Sequence, residues 1–181
     1  MEKKQEIKSY FNNLENKRHQ LLMELKEIDN QILNYNPLGN KWSIIQIIHH
    51  LYKSEQLSIV YIKRKLRNAN NIKKSSFSSF VRGLMLEWAL RFPTKLKAPA
   101  NVSNVPDFGE LEDYKTKWSN IRKDLSEIIK NTDIKILNSD IFKHPSVGEM
   151  NMIHALKFMH AHFHHHKKQI DKILLINNKF V

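Results

Sequence analysis

The sequence predicts an all-α protein: an antiparallel four-helix bundle with a long crossover connection. Glycine and proline, which interrupt helices, number only 4 and 5 among the 181 residues. In four segments, apolar residues recur at intervals of three and four, which is the period of an amphipathic helix rather than of a strand. A chain of this length can form one sizeable core, so we expect a single domain over residues 1–181.

The first predicted helix runs from Glu2 to Asn34. Pro37 and Gly39 form the turn that ends it. Its apolar positions are Ile7, Tyr10, Phe11, Leu14, Leu21, Leu22, Leu25, Ile28 and Ile32. Because these positions follow the helical period without a break, the pattern predicts one continuous amphipathic helix.

The second predicted helix begins after Ser43 and continues to about residue 68. Ser43 is the predicted N-cap, and Gln46, three residues later, completes a capping box. One face of this helix carries Ile47, His50, Ser54, Leu57 and Tyr61. His50 is therefore expected on an inward, mostly apolar stripe. There its imidazole is satisfied either by a local hydrogen bond, which is the commoner case, or by a metal ion.

The middle of the chain contains a long irregular segment. Residues 68–79 are polar, residues 80–90 are apolar, and residues 92–108 contain three prolines. A third helix is predicted from Leu111 to Asn131. After it, residues 144–148 read as a turn, and Asn151 is the predicted cap of the last helix. The sequence thus predicts four long helices with one extended crossover between the second and the third.

The last helix carries a cluster of histidines on two faces. His162 and His166 are four residues apart and share a stripe with Gln169, whereas His160 and His164 point to roughly the opposite side. Two imidazoles at this spacing can bind the same ion, although a third ligand must come from elsewhere. Hydrogen-bonded core histidines are the plainer alternative, and the pair by itself does not exclude it.

Three stretches together resemble the DinB/YfiT-like superfamily of metal-binding four-helix bundles. They are residues 41–51 (KWSIIQIIHHL), residues 91–99 (RFPTKLKAP) and residues 144–170, which begin with HPSVG and end with HFHHHKKQI. The family has a Trp-Ser helix start with a histidine eight residues after the tryptophan. Its last helix has two histidines four apart, with Gln-Ile three residues beyond. The matching positions here are His50, His162, His166, Gln169 and Ile170.

The resemblance covers nearly the whole chain and implies a mononuclear metal site made by His50, His162 and His166. The sequence departs from the family at Asn151, where relatives often carry threonine or serine, and in its extra histidines at 160, 164 and 165. Three neutral imidazoles leave a divalent ion open positions for water and substrate, as in catalytic zinc sites. Zinc and nickel suit imidazole best, and iron is a further candidate.

The resemblance implies a metal-dependent hydrolase acting on a small molecule. Its alternatives are a transferase that uses a low-molecular-weight thiol of the bacillithiol or mycothiol type, and a metal-binding bundle without turnover. The absence of cysteine agrees with a thiol brought by a co-substrate. The sequence identifies neither the substrate nor the reaction.

No acid–base group stands out in the sequence. Glu55 lies about 140° round the helix from His50, which favours a solvent-facing or inter-helix role. Tyr61 is on the His50 stripe but nearly three turns away. Asp107 and Glu110 lie on the connection, where loop or cap roles are commoner than catalytic ones. Gln169 is expected to hydrogen-bond either a ligand histidine or the metal-bound water.

The net charge of +12 raises the question of nucleic-acid binding. The basic residues are scattered and accompany no recognition motif, so a solvated basic surface is the favoured interpretation. No apolar run reaches the length of a membrane span, and the charged N-terminus lacks a signal-peptide pattern. A cytoplasmic protein is expected, and a homodimer formed through exposed helix faces is a further expectation.

Overall fold

The computed structural model describes residues 2–36, 39, 41–68, 72–75, 81, 104–144 and 148–177. Four long helices dominate the described part of the chain, as predicted, and two short helices and a two-stranded hairpin accompany them. The elements are α1 (Glu2–Lys26), α2 (Asn30–Asn34), α3 (Ile44–Arg67), α4 (Leu111–Asn131), α5 (Ile134–Leu137), β1 (Phe142–His144), β2 (Gly148–Met150) and α6 (Met152–Asn177).

The long helices form a ring in which α3 packs on α4 and α6, and α1 packs on the same two helices. The pairs α3–α6 and α1–α4 are antiparallel. In the first, for example, His50 contacts His162 near one end, while Lys65 binds Glu149, just before α6, near the other. The fold is therefore the predicted four-helix bundle.

The other two adjacent pairs run parallel. On α3, Glu55 binds Arg122, and Lys63, two turns further on, binds Asp124 of the same neighbouring helix. Because α3 and α4 point the same way, the chain between them has to return along the length of the bundle. This is the predicted crossover, of which residues 69–71, 76–80 and 82–103 lie outside the described residues.

The prediction of one continuous helix from Glu2 to Asn34 was wrong. The helix ends at Lys26, and a separate short helix begins after Asp29, whose Oδ1 accepts a hydrogen bond of 2.7 Å from the backbone N–H of Gln31. An aspartate side chain that caps a new helix start competes with continuation of the old helix. The apolar period of α1 does not reveal this break.

The predicted start of α3 is confirmed. The Ser43 hydroxyl accepts from the Gln46 backbone N–H, and the Gln46 side chain accepts from the Ser43 N–H, which completes the capping box. The predicted inward face was partly wrong. Ile47 and His50 are buried, but Ser54, Leu57 and Tyr61 are only half-buried. Their place in the interior is taken by Leu51, Glu55, Ser58, Ile59 and Ile62.

The segment before α6 contains a short antiparallel pair of strands, where the sequence predicted only a turn. Phe142 pairs with Met150, and His144 with Gly148, in an antiparallel hairpin. Residues 145–147, which the sequence predicts as the turn, lie outside the described residues. The predicted cap of α6 is confirmed, since Asn151 Oδ1 accepts from the His154 N–H at 3.1 Å. Helix α4 has the predicted bounds.

The end of the crossover is fixed beside the start of α3. The Asn34 side chain donates to the Gly109 carbonyl and accepts from the Gly109 N–H, both at 2.9 Å, as a strand partner would. Gln46 donates to the Pro106 carbonyl at 3.0 Å. A Cβ on Gly109 would come within 2.8 Å of the Tyr114 ring, so a larger residue does not fit there without a shift.

Candidate metal centre

Three imidazoles from α3 and α6, two helices that are far apart in sequence, meet inside the bundle. His50 Nε2 lies 3.0 Å from His162 Nε2, which in turn lies 3.1 Å from His166 Nε2. All three ligand atoms lie within 4.8 Å of one another. Within the part of the chain that the structure describes, no other group of three or more His, Asp or Glu side chains converges in this way. The three histidines singled out from the sequence thus come together.

The orientation of His166 is set by a neighbouring amide. His166 Nδ1 lies 2.9 Å from Gln169 Oε1, and an amide oxygen can only accept, so Nδ1 carries the proton. The lone pair of the neutral ring is therefore on Nε2, the atom that faces the other two imidazoles. A hydrogen bond that fixes the tautomer of a ligand histidine in this way is usual in metal sites. Of the two roles predicted for Gln169, the hydrogen bond to His166 is the one that the structure shows.

Aromatic rings surround the three imidazoles. The Trp42 ring lies 4.9 Å from the His50 ring and 6.5 Å from the His166 ring, between centroids. On the other side, Phe158 stacks on His162 at 5.4 Å. His50 and His166 are only 3 % and 7 % exposed, while His162 is half-buried. Aromatic rings therefore pack against the three imidazoles both at Trp42 and at Phe158.

Burial keeps His162 and His166 neutral. Desolvation, reinforced by the neighbouring His50, lowers the pKa of His166 to about 3. The pKa of His162 is also well below its usual value, first through desolvation and then through the other imidazoles. Unprotonated imidazoles crowded together present several lone pairs to one point. Such a donor set fits a divalent cation, which binds neutral imidazole nitrogen.

The carboxylates considered from the sequence lie outside the group of three histidines. Glu55 is buried between helices, where it accepts from Arg122 and from the Trp118 indole, so the inter-helix alternative holds and the solvent-facing one was wrong. Asp107 and Glu110 are exposed on the connection. Glu110 occupies the N-cap position of α4 without a side-chain cap hydrogen bond.

Tyr61 and the additional histidines have separate surroundings. Tyr61 donates a long hydrogen bond of 3.5 Å to Glu149. His164 is exposed and His160 is half-buried. His165 packs edge-on against His166 at 5.1 Å between ring centroids, and its Nε2 lies 3.2 Å from Gln169 Nε2. His165 therefore contacts the group from outside and is not one of the three converging imidazoles.

The sequence interpretation missed His144 as a neighbour of the centre. It ends β1, and its ring lies 4.8 Å from Phe158, the ring that stacks on His162. The signals available were the adjacent proline, which suggested a turn, and the position of residues 144–148 in one of the three stretches that resemble the family.

None of the helices in the described ranges is long and apolar enough to cross a membrane.

The family model described as the DinB superfamily matches residues 13–170. The uncharacterised protein YuaE of Bacillus subtilis is 25% identical over 150 residues, which span 83% of this chain and 88% of YuaE. A Bacillus cereus protein named "Putative metal-dependent hydrolase" is 25% identical over 167 residues, which span 92% of this chain and 84% of that protein.

One solved structure shares the fold. YfiT from Bacillus subtilis, described as "a probable metal-dependent hydrolase with an unusual four-helix bundle topology", matches with a TM-score of 0.61 and 15% sequence identity. The match covers 96% of this chain and 87% of YfiT. At this identity the likeness concerns the fold alone.

Proposed function

Since the chain belongs to the DinB superfamily, we propose that it is a metal-dependent hydrolase with a single divalent ion bound by His50, His162 and His166. The observation that carries this proposal is the convergence of three Nε2 atoms within 4.8 Å. Two relatives with similar chains or folds are named for the same class of activity. Zinc or nickel is the ion we propose, because all three donors are imidazole nitrogens.

The residues around the three histidines fit this role. Gln169 holds His166 with its Nε2 lone pair towards the centre, and Trp42 covers the His50 and His166 rings. Three protein ligands would leave a divalent ion with room for an exogenous ligand. When bound, the ion supplies Lewis acidity that polarises an electrophilic substrate.

The first test is metal analysis of the untagged protein. We expect about one equivalent of zinc or nickel per chain in the wild type and a loss of stoichiometric binding in His50→Ala and His162→Ala, since two imidazole ligands hold a divalent ion far more weakly than three. His164→Ala is the matched control, because this exposed histidine lies on the same helix but outside the centre. Equal metal contents in all four proteins would refute the site.

The second test separates hydrolase from transferase. The metal-loaded protein is incubated with ester, amide and lactone substrates, with and without a low-molecular-weight thiol. Turnover without thiol that disappears in His50→Ala supports the proposal. Turnover only in the presence of thiol would reassign the centre to thiol transfer, and metal binding without either reaction would leave a metal-binding bundle.

A further inference from the structure

The side-chain amide of Gln169 contacts two neighbouring histidines of α6. Its Oε1 lies 2.9 Å from His166 Nδ1, and its Nε2 lies 3.2 Å from His165 Nε2. An amide oxygen only accepts and an amide NH2 group only donates, so His166 Nδ1 donates to the amide while His165 Nε2 accepts from it. The amide therefore links His165 to a proposed metal ligand through two hydrogen bonds.

The positions of these residues on α6 favour this link. Gln169 follows His166 by three residues and His165 by four, which are the separations at which side chains of a helix meet. The two imidazoles stand edge-on, with 5.1 Å between ring centroids and an interplanar angle of 88°. From this arrangement each ring directs a different nitrogen at the same amide, Nε2 from His165 and Nδ1 from His166.

The hydrogen bond to His165 restrains a side chain that is otherwise exposed. Gln169 lies on the surface, whereas His165 is half-buried. A glutamine side chain in water samples many rotamers, and holding one of them costs conformational entropy. The contact with His165 also distinguishes the two ends of the amide, because it holds the NH2 group and leaves the oxygen for His166.

The end of the amide that meets His166 matters for metal binding. With the oxygen at Nδ1, the proton of the neutral ring is on Nδ1 and the lone pair is on Nε2, 3.1 Å from His162 Nε2. If the amide turned over, its NH2 group would face Nδ1, and a neutral ring accepts that hydrogen bond only when its proton is on Nε2. Such a ring offers no lone pair to the proposed ion.

We propose that His165 is a positioning residue for the metal centre, which acts through Gln169 to hold His166 in the form that carries its proton on Nδ1. The effect on metal binding rests on the proposed function, whereas the effect on the His166 tautomer requires no metal. His165 is not among the ligand atoms that lie together. Its role is therefore distinct from that of the three converging histidines.

The test is a double-mutant cycle in zinc affinity, measured in competition with a chromophoric chelator. His165→Phe keeps a ring against His166 but removes the acceptor nitrogen. We expect this variant to bind zinc about fivefold more weakly than the wild type, which corresponds to one net hydrogen bond. In a Gln169→Leu background the same substitution is expected to change the affinity by less than about twofold, because the amide through which it acts is gone.

Two further variants and a second readout complete the test. His165→Gln, whose amide oxygen can replace the acceptor nitrogen, is expected to recover most of the affinity. His164→Phe is the matched control and should equal the wild type, because His164 is exposed and lies outside the centre. In the metal-free protein, proton–nitrogen NMR correlations of the histidine rings report the tautomer. We expect the His166 proton on Nδ1 in the wild type and a partial shift to Nε2 in His165→Phe.

Several outcomes would overturn this inference. Equal zinc affinity in His165→Phe and the wild type would refute it while leaving the metal centre intact. The same loss in both backgrounds would show that His165 acts without Gln169. If the wild type binds no metal, the proposed function fails, and the NMR measurement still decides: a His166 proton on Nε2 in the wild type, or an unchanged tautomer in His165→Phe, would contradict the proposed role. Circular dichroism checks folding, and His165→Ala replaces the phenylalanine variant if that one does not fold.

Discussion

Replacing Glu55 by glutamine should destabilise the protein far more than breaking any surface ion pair. Glu55 accepts three hydrogen bonds across the α3–α4 interface: 2.7 Å from Trp118 Nε1, 2.8 Å from Arg122 Nε and 2.7 Å from Arg122 Nη2. The side chains of Glu55 and Arg122 are 3 % and 1 % exposed. The guanidinium is therefore neutralised by a single buried carboxylate.

The size of the effect follows from this burial. In Glu55→Gln the shape is kept, but the Arg122 charge loses its counter-ion in a place that water does not reach. Removing one partner of a buried pair costs about 3–5 kcal/mol of unfolding free energy. Arg122 Nη1 is buried and has no hydrogen-bond partner within the described structure, which increases its dependence on the remaining contacts. For a chain of this length we expect a fall in Tm of roughly 6–20 °C, at about 2–4 °C per kcal/mol.

Urea unfolding followed by circular dichroism measures this loss, and the chain offers a matched control. Lys63 and Asp124 form an ion pair of 2.8 Å between the same two helices, but their side chains are 42 % and 48 % exposed. Asp124→Asn should cost less than about 1 kcal/mol, as exposed pairs do. The double variant Glu55→Gln/Arg122→Met should be more stable than Glu55→Gln alone, because it removes the buried charge together with its partner.

Two results would contradict this reasoning. A loss below about 1 kcal/mol in Glu55→Gln would mean that the Arg122 charge is not isolated from water. A double variant as unstable as the single one, or less stable, would mean that the guanidinium contributes through packing and not through its charge. Either result would refute the claim that Glu55 stabilises the α3–α4 interface by neutralising the buried charge of Arg122.

Three further predictions concern the connection and the centre. Gly109→Ala should lower the unfolding free energy by about 1–3 kcal/mol in urea titrations, because its Cβ would lie 2.8 Å from the Tyr114 ring; an unchanged midpoint would refute the tight contact. Gln169→Leu should weaken metal binding about 10–100-fold in competition with a chromophoric chelator, through loss of the hydrogen bond to His166; unchanged affinity would refute that role. In the metal-free protein, stability should be complete above pH 6.5 and fall as the pH drops towards about 4. Since the pKa values of His166 and His144 are depressed to about 3 and about 4, the unfolded chain takes up protons first. Urea midpoints that stay constant between pH 7 and 4.5 would contradict this.

The features that the sequence predicted correctly are those determined over a few neighbouring residues. Ser43 and Gln46 specify the start of α3 by themselves, because both capping hydrogen bonds span three residues. His162, His166 and Gln169 share a face through the helical period alone. The pairing of His50 with that face came from the family resemblance, since no local pattern specifies contact between residues 112 positions apart.

The features that were missed depend on competition or on distant partners. The apolar period continues through Ile28 and Ile32, and it hides the new helix start that Asp29 makes. The partners of the buried Glu55, Arg122 and Trp118, lie on another helix, so no pattern local to α3 indicates its burial. The hairpin strands have three residues each, too few for an alternating pattern to be recognised.

The parallel pairing of α1 with α6 has a consequence for how the chain folds. Both neighbours of α1 lie far away in sequence; Arg18, for example, donates to Ser119, 101 residues later, and Lys167 of α6 binds Glu24. Helices that form no local hairpin must close long loops before their apolar faces are covered, which slows folding compared with an up-and-down bundle. During synthesis, α1 emerges long before its partner α6. We therefore expect the N-terminal helix to depend on chaperones until the histidine-bearing helix has left the ribosome, and limited proteolysis of stalled nascent chains would detect that exposure.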